Sequence, residues 1–232
     1  MIDIVLTSLN RWSYLKETVM AIVKRTRYPY RIFILDDGSD PATQQRIYSL
    51  KESRLISGLF LGAKPRGLFK KNNLAIEMTD SEIFVLSDGD ILVPNLEGDC
   101  WLKRAVDILE ANPNVAYACL QRRTNPDKMY VTPYAPGLER YKFYIPGYHM
   151  AFLRRSAFLH PRPNTQYDVH FAACEPVYRW PDHCPEHSDG KCEQHDDQIL
   201  AKYLIGQGLD CCRFTEIFHE HIGKISSNPA SL

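Results

Sequence analysis

Short apolar runs alternate four times with segments of helical spacing or polar breaks in the first ninety residues. Ile2 to Leu6 reads as a strand. Leu15, Val19, Ile22 and Val23 then recur at helical spacing behind Ser13, which the pattern makes the helix cap. "RIFILDDGSD" is a second strand that ends in carboxylates, and Asp40-Pro41 opens the next helix as cap and first-turn proline. "GLFLG" is a weaker third strand, with a helix predicted from about Phe69. The fourth lies in "EIFVLSDGDILVP", residues 82–94. Its run Ile83, Phe84, Val85, Leu86 has no polar alternation, the mark of a strand covered on both faces. Such alternation predicts an α/β chain with a doubly wound, mostly parallel central sheet and right-handed crossovers.

Ligands on sheets of this kind bind beyond the carboxyl ends of the strands. That rule brings Thr7 to Arg11, Asp36 to Asp40 and Ser87 to Asp90 onto one rim. The second half is a mixed, loop-rich continuation. It has a helix near Trp101 to Ala111, a strand "VAYACL", a segment "GYHMAFLRR", a helix in "EQHDDQILAKYLIGQG" and a strand in "CCRFTEIFHEHIG". The length of 232 residues suits one domain spanning 1–232, and no repeat or linker divides it.

Twenty-eight basic residues balance twenty-eight acidic ones, so charge alone gives no reason to bind nucleic acid or a membrane surface. An anionic ligand needs a local site. The opening "MIDIVLTSLNRWSYL" has no secretory pattern and no apolar stretch is long enough for a span, which predicts a soluble, cytoplasmic protein.

Asp88-Gly89-Asp90 places two carboxylates beside a glycine at a buried strand end. Desolvated together they would repel, so a positive partner is expected, and a hard divalent cation such as Mn2+ or Mg2+ suits them. A tight turn is the plain alternative. Lys70 and Lys71 with Asn72 and Asn73 stand near a helix start, where phosphate is favoured, although a solvated basic face would look the same. Asp196 and Asp197 fall in the first turn of a helix. Adjacent helical residues point about 100 degrees apart, so one can cap while the other serves as a general base, and Asp197 is the choice for base. His219 and His221 share one face of a strand and can bring imidazole to a metal. Cys184, His187, Cys192 and His195 are four zinc-type ligands in twelve residues. A structural Zn2+ site is one reading of them, beside a polar loop with two incidental cysteines and a Cys184–Cys192 disulfide.

In this order the motifs resemble the inverting family 2 nucleotide-sugar glycosyltransferases with the GT-A fold. "TSLNR" is similar to that family's Pro-Thr-Tyr-Asn-Arg, "ILDDGSD" to Val-Asp-Asp-Gly-Ser, "NLAI" to Asn-x-Gly-Ile, "LSDGD" to Asp-x-Asp and "HDDQIL" to the Glu-Asp-x-x-Leu segment that carries the base. The resemblance implies a donor half over about 1–95 and an acceptor and base half over about 96–232. It implies Asp90 as metal ligand with His221 as an additional one, and Asp88 near ribose or metal. Asp37 would lie on the nucleobase, with Thr7, Leu9, Asn10, Arg11, Lys71 and Asn73 among the donor-binding residues. The base is left between Asp197 and Asp196. The activity implied is transfer of one hexosyl or deoxyhexosyl unit, with inversion, from a nucleotide-sugar donor to a glycan, glycoprotein or small-molecule acceptor. Thr7 stands where the family has Pro and Leu9 where it has the Tyr of the nucleobase pocket. Three other readings compete: a haloacid-dehalogenase-like phosphohydrolase, which also uses Asp-x-Asp but on the first strand; a sugar nucleotidyltransferase, which wants a Gly-rich loop after strand one where "TSLNRWSYL" has no Gly; and a non-catalytic zinc or interaction module.

Overall fold

A computed structural model describes residues 1–64, 74–122, 131–142, 145, 147–158 and 196–223, with the backbone alone for 196–199 and 202. Lys71, Asn73 and the whole Cys184/His187/Cys192/His195 segment lie outside the described residues.

Strand β1 (Ile2–Ser8) is followed by helix α1 (Trp12–Arg25), β2 (Tyr30–Asp36), α2 (Pro41–Glu52) and β3 (Gly58–Leu61). After a helical turn over residues 74–77 come β4 (Ile83–Asp88) and the two-residue β5 (Ile91–Leu92). Helix α3 (Trp101–Glu110), strands β6 (Val115–Arg122), β7 (Val131–Ala135), β8 (Leu138–Tyr141) and β9 (Ala151–Arg154), helix α4 (Asp196–Gly206) and β10 (Asp210–His221) complete the order.

The strands form one sheet in the order β3-β2-β1-β4-β9-β6-β10-β8-β7, with β5 paired to β10. β1 to β4 are mutually parallel, as the alternation requires; β9 then enters antiparallel between β4 and β6. Chain order runs outward from β1 to β3 on one side and resumes with β4 on the other, so the topological switch point lies between β1 and β4. Thr7 is in register with both Leu35 and Asp88, which brings three strand ends to one edge.

Side chains alternate across the sheet with period two. Ile4, Leu6, Ile32, Ile34 and Val85 join Leu15, Val19, Ile22, Ile47 and Trp101 in one buried layer, against α1, α2 and α3. Val5, Leu35, Phe84 and Leu86 join Ala75, Ile76, Phe158, Leu200 and Leu204 in the other. Both faces are therefore covered, which is why the strands read as unbroken apolar runs. Trp101 fills the first layer edge-on to Phe152 and gives its indole N–H to Thr26 Oγ1 at 2.9 Å.

Strand β10 carries an irregularity with a directional effect. Arg213 is in register with Cys119 and Phe218 with Gln121, so five steps on β10 pass two on β6. The excess is odd, and it reverses which parity faces which layer. Cys211 packs in the second layer, whereas Ile217 packs in the first.

Helix α1 begins two residues earlier than a Ser13 cap would place it. Arg11 holds the cap position with no side-chain cap bond. Asn10, at φ 53°, turns the chain instead, and its N–H is held by Ser39 Oγ at 2.8 Å. Asp40 does cap α2, accepting from the Thr43 N–H at 2.9 Å with Pro41 in the first turn. No helix among the described residues is long and apolar enough to cross a membrane.

At the opposite edge, Asp3 is fully buried and accepts a forked pair from Arg31 at 2.7 and 2.9 Å, plus the N–H groups of Asp80 and Ser81. Burial pushes its pKa upward, but the Arg31 guanidinium and these N–H donors outweigh it and hold the carboxyl below its ordinary value. A depressed folded pKa gives stability that is full above about pH 4 and is lost as pH falls through the folded value. Asp3→Ala is expected to cost about 2–3 kcal/mol at neutral pH, a gap that narrows in acid; urea unfolding at about pH 7 and about pH 3 measures both.

Candidate active site

The rim at the switch point is assembled by two loops tied to each other. Asp36 ends β2 fully buried and accepts from the Ser39 N–H at 2.9 Å, the Gly38 N–H at 3.2 Å, the Gln44 amide at 3.0 Å and the Ser39 hydroxyl. All of these donors are neutral, so this carboxylate serves as the frame of its loop. Asn10 crosses to the same loop, its Oδ1 accepting from the Asp40 N–H at 2.8 Å. The Asp37 N–H donates to the Ser8 carbonyl at 2.8 Å, which sets Asp37 on the rim beside the end of β1. Leu9, 40% exposed, stands out from that rim.

The β4 end is shaped by a glycine that cannot be replaced without movement. A Cβ on Gly89 would lie 2.8 Å from the Thr7 carbonyl oxygen and 3.1 Å from Leu15 Cδ1. Thr18 Oγ1 donates to the Gly89 carbonyl at 3.0 Å, and Thr7 Oγ1 reaches Asp88 Oδ1 at 3.4 Å. The turn therefore packs against β1 and α1, holding Asp88 at the rim and turning Asp90 inward.

Asp90 is 1% exposed and lies between two basic groups. Arg11 Nη1 donates to Oδ2 at 2.7 Å. His221 Nε2 lies 3.2 Å from Oδ1, near enough to pair when charged, yet off the line of a hydrogen bond, so Oδ1 is buried without one. Burial raises the Asp90 pKa, and the neighbouring imidazole and guanidinium more than reverse this, holding it below its ordinary value. Arg11 supplies the positive charge that paired carboxylates at a strand end demand.

His221 arrives through pairing at the end of β10. It is in register with Ile91 of β5, and the Ile222 N–H donates to the Asp90 carbonyl at 3.0 Å. Gly223 follows, where a Cβ would fall 2.0 Å from Asp90 Oδ2. His219 shares the strand face, and His149, just before β9, stacks obliquely on both rings at 5.0 and 5.7 Å. His219 is 2% exposed with neither ring nitrogen hydrogen bonded. Burial, with like charge from His221 and Arg122, pushes His149 down to about 4. Burial first, then His149 and His221, pushes His219 down to about 3. Both rings are neutral at neutral pH.

The residues brought together are thus Thr7, Asn10, Arg11, Asp37, Asp88, Asp90 and His221. Helix α4 opens at Asp196, so Asp196 and Asp197 occupy its first turn; their side chains lie outside the description. Gly223, Ser39 and Arg122 were not singled out as site residues in the sequence; Ser39, within "ILDDGSD", and the glycine that follows His-Glu-His-Ile offered a signal. Among the described residues, no three carboxylate, imidazole or thiol side chains are grouped to hold a metal ion by themselves. A carboxylate oxygen without a hydrogen bond and an adjacent imidazole nonetheless fit a divalent cation by donor chemistry.

Residues 3–162 match the family model described as Glycosyl transferase family 2. Solved structures that are similar include TarS from S. aureus, at 11% identity and TM-score 0.64, covering 96% of this chain and 36% of that one. The mannosyltransferase PcManGT from Pyrobaculum calidifontis, solved with GDP-Man and Mn2+, is similar at 16% identity and TM-score 0.67, over 97% of this chain and 58% of that one. GalNAc-T7, solved with UDP, GalNAc and Mn2+, is similar at 14% identity and TM-score 0.68, over 99% of this chain and 45% of that one. At these identities the likeness is one of fold. This chain spans about a third to three fifths of the length of these proteins. No curated protein matches it in sequence.

The contacts at Gly89 generate a test. Gly89→Ala is expected to destabilise the fold by about 1–3 kcal/mol, because the Thr7 carbonyl it meets is backbone of a central strand. Chemical denaturation of the variant beside wild type checks it.

Proposed function

Because the chain belongs to glycosyl transferase family 2 and has the GT-A fold, we propose that it moves one sugar from a nucleotide-diphosphate sugar to an acceptor hydroxyl, with inversion and with a divalent cation. The observation that carries this reading is Asp90, a buried carboxylate at the β1/β4 switch point. It has one oxygen without a hydrogen bond and lies beside His221 and Arg11.

In this proposal the chain acts as one unit, with the donor on about 1–95 and the acceptor and base on about 96–232. Asp90 and His221 hold the cation, and Asp88 lies near ribose or cation. Asp37 accepts from the nucleobase or ribose, the exposed Leu9 offers an apolar face beneath the base, and Thr7, Asn10 and Arg11 line the donor. Lys71 and Asn73 belong to the phosphate side. A divalent cation there, Mn2+ or Mg2+, would offset charge developing on the departing nucleoside diphosphate. PcManGT and GalNAc-T7, both solved with Mn2+, support that choice by analogy of fold.

Chemistry at the acceptor falls to the first turn of α4. Asp197, with Asp196 as the other candidate, takes the proton of the acceptor hydroxyl as that oxygen bonds to the anomeric carbon. The bond from that carbon to the phosphate oxygen breaks on the opposite face, and its electron pair leaves with the diphosphate. A glycan, a glycoprotein or a small molecule can supply such a hydroxyl.

Calorimetry with a panel of nucleoside diphosphates and their sugars, with Mn2+, with Mg2+ and with chelator, tests the donor half. One nucleotide is expected to bind in a cation-dependent manner, and Asp90→Asn to weaken it roughly tenfold or more. Binding of no nucleotide under any condition would sink the reading. For the base, Asp197→Ala is expected to lower kcat by about a hundredfold or more with donor affinity intact, and undiminished transfer would move the role to Asp196.

A further inference from the structure

Asp90 is enclosed on three sides by Arg11, by His221 and by the backbone at Gly223. Its side chain is 2% exposed, whereas that of Arg11 is 43% exposed, so the guanidinium joins the buried carboxylate to solvent. The 2.7 Å contact of Arg11 Nη1 occupies Oδ2. A dication held by the same carboxylate would share it with the fixed positive charge of Arg11, and two cations at such separations repel. The backbone below Arg11 is pinned. Asn10 is tied at both its N–H and its side chain to the Ser39–Asp40 loop, and the Arg11 carbonyl is committed to the Leu15 N–H. Only the side chain is left to relocate, and it would do so within the loop at the switch point, where a diphosphate would lie.

We propose that Arg11 is a coupling residue: it is the counter-ion of Asp90 until cation and donor arrive together, and it then transfers to the donor's diphosphate. This rests on the nucleotide-sugar reading of the site. The cation alone then binds against a resident competitor, and a nucleoside diphosphate removes that competitor by giving the guanidinium a better partner, a bidentate phosphate contact. Cation and nucleotide therefore bind with positive coupling, and the factor is the same in either order of addition. Because Arg11 serves both ligands in turn, its removal has opposite effects on them, a signature that a purely structural ion pair would not give.

The test uses the full chain as wild type, Arg11→Gln and Arg11→Lys, with Mn2+ binding followed by electron paramagnetic resonance. UDP, GDP, ADP, CDP and dTDP binding is followed by calorimetry with and without Mn2+. Arg11→Gln is expected to bind Mn2+ alone roughly three- to tenfold more tightly and a nucleoside diphosphate with Mn2+ at least about tenfold more weakly, so that the coupling collapses. Arg11→Lys keeps the charge and is expected to leave Mn2+ binding near wild type while losing part of the nucleotide affinity. Arg11→Gln leaves the buried Asp90 short of a charged partner and is expected to lower the thermal midpoint, so a wild-type far-ultraviolet circular dichroism spectrum and a cooperative melt above the assay temperature show that both variants are folded during the titrations. Unchanged or weaker Mn2+ binding by Arg11→Gln would overturn the proposal while leaving the transferase reading intact. If wild type binds none of the nucleotides, the transferase reading fails and the coupling with it.

Discussion

Strand β1 is buried along all seven of its residues, and that loss of water is the constraint from which the rest of the molecule follows. Every backbone group of a buried strand needs a partner, and β2 and β4 supply them from the two sides in parallel register. Parallel neighbours send their chains out at one edge, so the polar residues that end each strand accumulate there. The reversal of chain order at β1 leaves the crevice between its end and that of β4 unroofed by any crossover of its own. A site at this place is a product of topology before any side chain is chosen.

Two buried carboxylates on that rim show how surroundings assign work to the same functional group. Asp36 is satisfied by two N–H groups, a hydroxyl and an amide, all neutral and all local, and its effect is to fix the shape of a loop. Asp90 meets charged or chargeable partners from distant parts of the chain, and one of its oxygens is left over. The first is complete as it stands. The second can still take a ligand, and the neutral rings of the buried His219 and the half-buried His149 beside it keep the surroundings poorly solvating, which strengthens its interaction with whatever charge it meets.

Much of the rim at the switch point was legible in the sequence because it depends on local pattern. Apolar runs at residues 32–35 and 83–86 announced strands, the second as one covered on both faces, and Asp40-Pro41 announced a helix start. The same reasoning misplaced the start of α1 at Ser13, since the turn is made by Asn10 through a bond to Ser39, a residue twenty-nine positions away. Pattern also could not find β9 running antiparallel between β4 and β6, or the closeness of Gly223 to Asp90, because both arise from pairings between remote segments. His219 and His221 were recognisable as sharing a face; which face was not.

That last point follows from the irregularity in β10. Between Arg213 and Phe218 the strand spends three residues more than its neighbour, an odd number, so the side to which His219 and His221 are presented is decided by counting. Removal of one residue from that stretch would preserve both imidazoles and their spacing, but the strand would have either to shrink the irregularity or to slip by one residue against Gln121 and Arg122, and the slip would turn the pair to the far side of the sheet, away from Asp90. For this part of the protein an insertion or deletion can be a heavier change than a substitution, because the length of the segment, and not only its composition, sets which side the imidazoles take.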